Sequence, residues 1–320
     1  MKEIIKIILI STVLTLILGR IIIPILRNSH IGQNIRQEGP KSHYQKAGTP
    51  TMGGVMFLIS TLIMTLIFVP FSMKTFILLL ATFGFGLIGF IDDFRKLVLK
   101  RSLGLTAKQK IILQVGLSFI IAMLCFIYQK ETITKLWIPF TNTKINISIL
   151  GIPLMMFIMI GTSNAVNLTD GLDGLSSSVS IPVFISLIIL ATSIEDKLFA
   201  AIMLGGLLGF LFYNSNPASV FMGDTGSMAI GGAVVALCIN LGMVLFLVIL
   251  GGIYVAEAGS VILQVTSYKL RNKKRIFLMT PIHHHFELKG YKEPKIVTGF
   301  TIVSVILSLI TLIIALWEKY

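Results

Sequence analysis

The chain has 320 residues, of which 55% are hydrophobic and only 13% charged, about half the charged share usual for a water-soluble domain. That composition excludes a soluble globular enzyme, which would lack the polar surface to cover itself. The net charge of +13 would suggest nucleic acid in a soluble chain. Here the basic residues cluster in particular loops, so they report topology first, and no nucleic-acid partner is expected.

Several apolar runs reach about 18 to 25 residues, enough to span a hydrocarbon core of about 30 Å as a helix. The alternation of a membrane barrel is missing, so the predicted class is an all-α polytopic membrane protein. The runs predict about ten spans, over 4–26, 52–70, 74–91, 108–128, 151–168, 175–193, 197–213, 226–241, 243–266 and 296–317. No repeat or linker divides residues 1–320, so one integral-membrane domain is expected. The first run exceeds a signal-peptide core and has no cleavage pattern, which predicts a retained helix. Cys125 and Cys238 both lie in apolar runs and read as packing residues.

Alternate loops are basic. The first carries Arg27, Arg36, Lys41 and Lys46, and the third Arg95, Lys96, Lys100 and Arg101. The ninth carries Lys269, Arg271, Lys273, Lys274, Arg275, Lys289, Lys292 and Lys295. The positive-inside rule places these loops in the cytoplasm and both termini outside. Between spans four and five, Ile145, Ile147 and Ile149 alternate with Asn146 and Ser148 after a polar break. That period of two predicts a small external β-hairpin.

On this topology five aspartates fall at one membrane face: Asp92, Asp93, Asp170, Asp173 and Asp224, in a chain with only 14 acids. An ionised Asp at the bilayer centre costs about 2.5 to 3.5 kcal/mol on insertion scales, so a cluster of them points to function. Adjacent carboxylates at Asp92-Asp93 repel each other, which favours a bound cation or a raised pKa. Asn164, Asn167 and Asp170 recur every third residue and share a helix face before Gly171, Leu172, Asp173 and Gly174, a polar strip suited to a polar ligand. The segment from Asn214 to Ser227 carries Gly223 and Gly226 around Asp224, and the helix that follows offers free N–H groups to an anion. Hard oxygen donors without cysteine indicate magnesium. His283, His284 and His285 cannot all face one metal, so a phosphate-contacting or proton-handling role fits better than zinc. Gly84, Gly86 and Gly89 match the dinucleotide fingerprint literally, but inside a span they read as helix-packing glycines.

Lys46-Ala-Gly-Thr-Pro-Thr-Met-Gly-Gly54, the Asp92-Asp93 pair, the Asn164 to Gly174 and Asn214 to Ser227 segments and Pro281 to Glu287 occur in order. Together the chain resembles the phospho-N-acetylmuramoyl-pentapeptide transferase family, within the polyprenyl-phosphate N-acetylhexosamine-1-phosphate transferase superfamily. The resemblance implies a bacterial cell-membrane homodimer with a cytoplasmic active-site cleft. Its expected reaction joins UDP-N-acetylmuramoyl-pentapeptide to undecaprenyl phosphate and releases UMP. Carried over, Asp224 is the magnesium ligand and Asp92 and Asp93 the essential acidic pair. Asp170, Asp173, Asn214 and Phe221 correspond to nucleotide and inhibitor contacts, while Lys46, Thr51, Lys96, Lys108, Gln264 and His283 to His285 line the cleft. The resemblance also implies a bent ninth helix, with which Gly251, Gly252, Glu257 and Gly259 agree. A transporter or lipid flippase is the rival of a different class, since intramembrane acids also mark ion pathways. Acids gathered at one face, and no inverted repeat, weigh against it.

Overall fold

A computed structural model of the chain describes residues 2–28, 46, 48–97 and 104–318. Arg36, Lys41, Lys100 and Arg101, four of the expected inner cations, lie outside the described residues. In chain order the helices are α1 (Lys2–Asn28), α2 (Gly54–Phe68), α3 (Met73–Leu97), α4 (Ala107–Tyr128), α5 (Lys130–Thr134), α6 (Gly151–Thr169), α7 (Leu175–Leu190), α8 (Ile194–Asn214), α9 (Gly223–Asn240), α10 (Leu247–Leu250), α11 (Gly252–Leu270), α12 (Ile282–Leu288) and α13 (Glu293–Trp317). Strands β1 (Lys135–Ile138) and β2 (Thr143–Asn146) separate α5 from α6.

Each of the expected spans is helical, but among the described residues only six helices are long and apolar enough to cross a membrane by themselves: α1, α3, α4, α6, α8 and α13. The pair α10–α11 makes a seventh if counted as one bent span. The bend is 83° and falls at Gly251, so the run over 243–266 is a broken helix and not a single rod. Beyond the bend α11 leaves Ile262 and Leu270 exposed.

Small residues let helices approach closely where no water is present to drive them together. α9 runs through the centre and is buried from Thr225 to Asn240. A Cβ on Gly232 would come within 2.5 Å of the Ala81 carbonyl oxygen of α3, and one on Gly231 within 2.6 Å of the Ser163 Cα of α6. Gly86 faces Ala229, and Gly89 sits directly against the Asp224 backbone. The dinucleotide-like glycines are therefore packing glycines, with Gly84 turned to Leu117 of α4. α1 is sewn to α8 in the same way: Ser11 Oγ donates to the Ile202 carbonyl at 2.8 Å and Thr12 Oγ1 to that of Gly205 at 3.1 Å. Large apolar side chains such as Leu9, Ile17, Ile120 and Ile306 stay exposed on the outer helices, the surface a lipid phase would cover. Cys125 and Cys238 are buried and unpaired.

The hairpin is antiparallel, with Lys135 opposite Asn146 and Ile138 opposite Thr143. It is shorter than the isoleucine alternation predicts. Asn146 Oδ1 accepts the Ser148 amide at 2.9 Å, Ser148 takes φ +51°, and Ser148–Leu150 form a 3-10 turn, so the strand ends before Ile147. Trp137 Nε1 donates to Glu318 Oε2 at 2.7 Å, which ties β1 to the end of α13. The other end of that helix, about 36 Å away for its length, carries Glu293 and lies among the aspartates.

Candidate active site

The C-terminal end of α3, the N-terminal turns of α4 and α9, and the C-terminal end of α6 converge. One oxygen from each of Asp92, Asp93 and Asp224 lies within 4.8 Å of the other two. The three carboxylates are differently employed. Asp93 Oδ2 accepts the Thr225 amide at 2.9 Å and the Thr225 hydroxyl at 2.7 Å, while its Oδ1 lies 3.3 Å from the Asp224 amide. It thus caps the first turn of α9 from another helix, satisfying donors that a helix start leaves free. A Cβ on Gly223, which has φ +78°, would come within 2.7 Å of Asp93 Oδ2, so only glycine lets the turn close over this carboxylate.

Asp92 accepts the Leu105 amide at 2.7 Å through Oδ1 and pairs with Lys96 through Oδ2. Asp224 is held by Lys110 Nζ, 2.7 Å from Oδ2, and by Asn167 Nδ2, 2.9 Å from Oδ1; Lys96 Nζ is 3.6 Å away. Lys110 was not among the expected site residues. The signal for it lies in α4, where Gln114, Ser118, Ile121, Ala122 and Cys125 are buried. Lys110 continues that stripe one turn earlier. Lys108, the expected cleft lysine, sits two residues back and is exposed.

The polar strip of α6 is divided between two neighbours. Asn167 reaches the site, donating also to Ser227 Oγ at 2.9 Å. Asn164 instead pairs with Gln114, its Nδ2 2.9 Å from Gln114 Oε1. Asp170 follows α6, and burial, then the charges of Asp224, Asp93 and Asp173, push its carboxyl well above the usual range, opposed by a hydrogen bond from the Gly223 amide. Leu172 is buried in the turn, and Gly171 lies directly against the His283 ring.

Beside this turn Lys46 Nζ bridges Asp173 Oδ1 and Glu293 Oε1, 2.7 Å from each. Asp173 Oδ2 also accepts Asn216 Nδ2 and the Ala218 amide, both at 3.1 Å. Lys46 Nζ stands 6.0 Å from the centre of the Phe221 ring, within cation–π reach. Thr51 is buried below, in a segment joined to the α9 approach by the Gly53 amide to the Phe221 carbonyl at 2.8 Å and the Phe221 amide to the Pro50 carbonyl at 2.8 Å. Asn214, 2% exposed, is a clamp: its Oδ1 accepts the Gly174 amide and its Nδ2 donates to the Val220 carbonyl.

The three histidines take different partners, although the His283 and His284 rings touch, with 4.1 Å between their centroids. His283 is buried against Glu257, His284 Nδ1 lies 2.7 Å from Glu287 Oε2, and His285 Nδ1 accepts the Leu278 amide at 3.1 Å. Gln264 holds the preceding loop, accepting the Ile276 and Phe277 amides at 2.9 and 3.0 Å.

A helical membrane bundle with acids, lysines and amides gathered at one end is matched over residues 75–242 by the model of glycosyl transferase family 4. The match makes the chain a glycosyl transferase of that family, and its apolar helices make it a membrane protein. Residues 46–58 match phospho-N-acetylmuramoyl-pentapeptide-transferase signature 1. Proteins named phospho-N-acetylmuramoyl-pentapeptide-transferase from Clostridioides difficile and Caldanaerobacter subterraneus are 50% identical over 309 residues and 49% over 302, covering 95% and 93% of this chain and 95% and 94% of their own. One from Staphylococcus carnosus is 48% identical over 316 residues, 97% of each chain. The chain belongs to the phospho-N-acetylmuramoyl-pentapeptide-transferase family, and is an enzyme.

Proposed function

We propose that the chain transfers phospho-N-acetylmuramoyl-pentapeptide from its UDP-linked form to undecaprenyl phosphate, releasing UMP and making the first lipid intermediate of peptidoglycan synthesis. The observation that carries the mechanism is the set of three carboxylates meeting within 4.8 Å beside Lys96 and Lys110. Two anionic phosphates must come together in this reaction, and their repulsion is the main barrier that fixed charge can lower.

The all-oxygen donor set fits a hard divalent cation, and Asp224 would hold magnesium. Bound there, the ion supplies charge neutralisation to the diphosphate. Lys96 and Lys110, held by Asp92 and Asp224, are the cations offered to the substrate phosphates. Asp92 takes the Leu105 amide on one oxygen and Lys96 on the other, and so places Lys96. The lipid phosphate, with a second pKa of about 6, attacks as its own dianion. Asp170, Gly171, Leu172, Asp173 and Phe221 form the nucleotide side, shaped by Asn214 and Lys46. Asn167 supports Asp224 and Asn164 braces Gln114 of α4, while Thr51, Lys108, Gln264, His284 and His285 border the cleft.

In the same reading the ten apolar segments all belong to the membrane, the site opens to the cytoplasm of a bacterial cell, the hairpin and both termini lie outside, and two copies associate. Accessibility reporters test the sidedness: one at Arg271 should label from the cytoplasm and one at Asn142 from outside, and cytoplasmic labelling at Asn142 overturns it. The reaction is tested by offering detergent-solubilised protein UDP-N-acetylmuramoyl-pentapeptide or UDP-N-acetylglucosamine with undecaprenyl phosphate. UMP release with the first donor alone supports the assignment. Release only with the second points to the related N-acetylglucosamine-1-phosphate transferases, and none with either, despite substrate binding, to a transporter.

A further inference from the structure

Glu257 is fully buried in the first turns of α11, just past the bend, and His283 in α12 is 1% exposed. Glu257 Oε2 lies 3.1 Å from His283 Nδ1 and 3.5 Å from the His283 amide. Among the described residues, Glu257 Oε1 and both ring nitrogens have no hydrogen-bond partner. A carboxylate removed from water is costly unless a complementary group faces it, and the imidazole is the group in place. α11 is anchored one turn earlier, where Tyr254 Oη and Ser180 Oγ of α7 share a hydrogen bond of 2.7 Å, so Glu257 is carried on a fixed element.

The opposite edge of the ring faces the Asp170–Gly174 turn. A Cβ on Gly171 would collide with His283 Nε2, so glycine there lets the turn lie on the ring. Nε2 is thus a buried, unpartnered polar atom beside the turn assigned to the nucleotide.

We infer that Glu257 is the positioning residue for His283: its carboxylate faces Nδ1 at ion-pair distance and leaves Nε2, which donates when the ring is doubly protonated, as the ring atom presented to the phosphates of the nucleotide-sugar. The arrangement follows a general logic in which a carboxylate on one imidazole nitrogen sets the tautomer and direction of the other. This inference rests on the proposed reaction for its substrate, but the Glu257–His283 geometry does not.

The test uses full-length protein and the variants E257Q, H283N and the double variant. E257Q keeps the shape of the side chain and removes its charge. It should lower kcat about 10- to 100-fold, the usual effect of losing such a supporting partner, with KM for the nucleotide-sugar within about threefold, a split that general loosening of the fold would not produce. In the H283N background it should cost little more, because the two act as a unit. Wild-type kcat in E257Q with H283N impaired, or losses that simply multiply, overturns the inference. Should E257Q not fold, 15N spectra of histidine-labelled wild-type protein decide, with the His283 signals assigned by their absence in H283N. Protonation at Nδ1 is expected; a neutral ring protonated at Nε2 overturns the inference. Wild-type protein that releases no UMP would sink the proposed reaction, and the 15N result would then still judge the pairing.

Discussion

Lys110 Nζ stands 2.7 Å from Asp224 Oδ2, joining the first turn of α4 to the first turn of α9. Lys108 is on the exposed side of the same helix. Lys110→Ala should therefore reduce kcat/KM about 10- to 100-fold, the equivalent of a hydrogen bond to a charged group worth about 1.5 to 3 kcal/mol. Lys108→Ala should reduce it less, and steady-state kinetics on the two variants checks the order.

Asp224 and Asp93 are neighbours with different tasks. Asp224→Asn should leave the fold intact and lower turnover at least 100-fold, about 2.7 kcal/mol of barrier. Asp93→Ala removes the acceptor of the Thr225 amide and hydroxyl, so it should also lower stability by about 1 to 3 kcal/mol. Thermal unfolding in detergent separates them: the Asp224 variant melts with wild type and the Asp93 variant below it.

Much of this site was legible in the chain. Five aspartates in an acid-poor, apolar sequence mark one face, and the three-residue spacing brought Asn167 to Asp224. What periodicity alone did not reveal is which helix each polar face meets. Asn164 turns to Gln114 on α4 because that helix, and not a ligand, lies beside it. Lys110 was hidden two residues from the lysine expected, a shift of about 200° around a helix. Glu293, which completes the Lys46–Asp173 cluster, is 120 positions from Asp173, and no local pattern relates them. The strand ended early because Asn146 caps a turn, a local bond that outweighs the alternation of isoleucines.

Gly89 lies against the Asp224 backbone, so the approach of α3 to α9 depends on the absence of a side chain. Gly89→Val should force the two helices apart and break the Asp93 bonds to the α9 turn. A lower melting point together with at least a tenfold loss of kcat is expected, whereas Gly116→Ala, where a Cβ meets nothing within 4 Å, should leave both unchanged.

Asp92 and Asp170 differ in kind. Asp92→Asn disturbs Lys96, the cation proposed to meet the reacting phosphates, and should mainly lower kcat. On the proposed assignment Asp170→Ala removes a nucleotide contact made before and during reaction, and should mainly raise KM. Equilibrium binding of the nucleotide-sugar to both variants verifies that KM follows affinity. Lost binding in Asp92→Asn with full kcat at saturation, or normal binding and slow turnover in Asp170→Ala, reverses the roles.

The most direct measurement is UMP release from UDP-N-acetylmuramoyl-pentapeptide and undecaprenyl phosphate by purified protein as magnesium is titrated. The account predicts saturable dependence on magnesium in the wild type, loss of activity in chelator and at least 100-fold lower turnover in Asp224→Asn at every magnesium concentration. Full release in chelator, or wild-type turnover in Asp224→Asn at limiting magnesium, would contradict it.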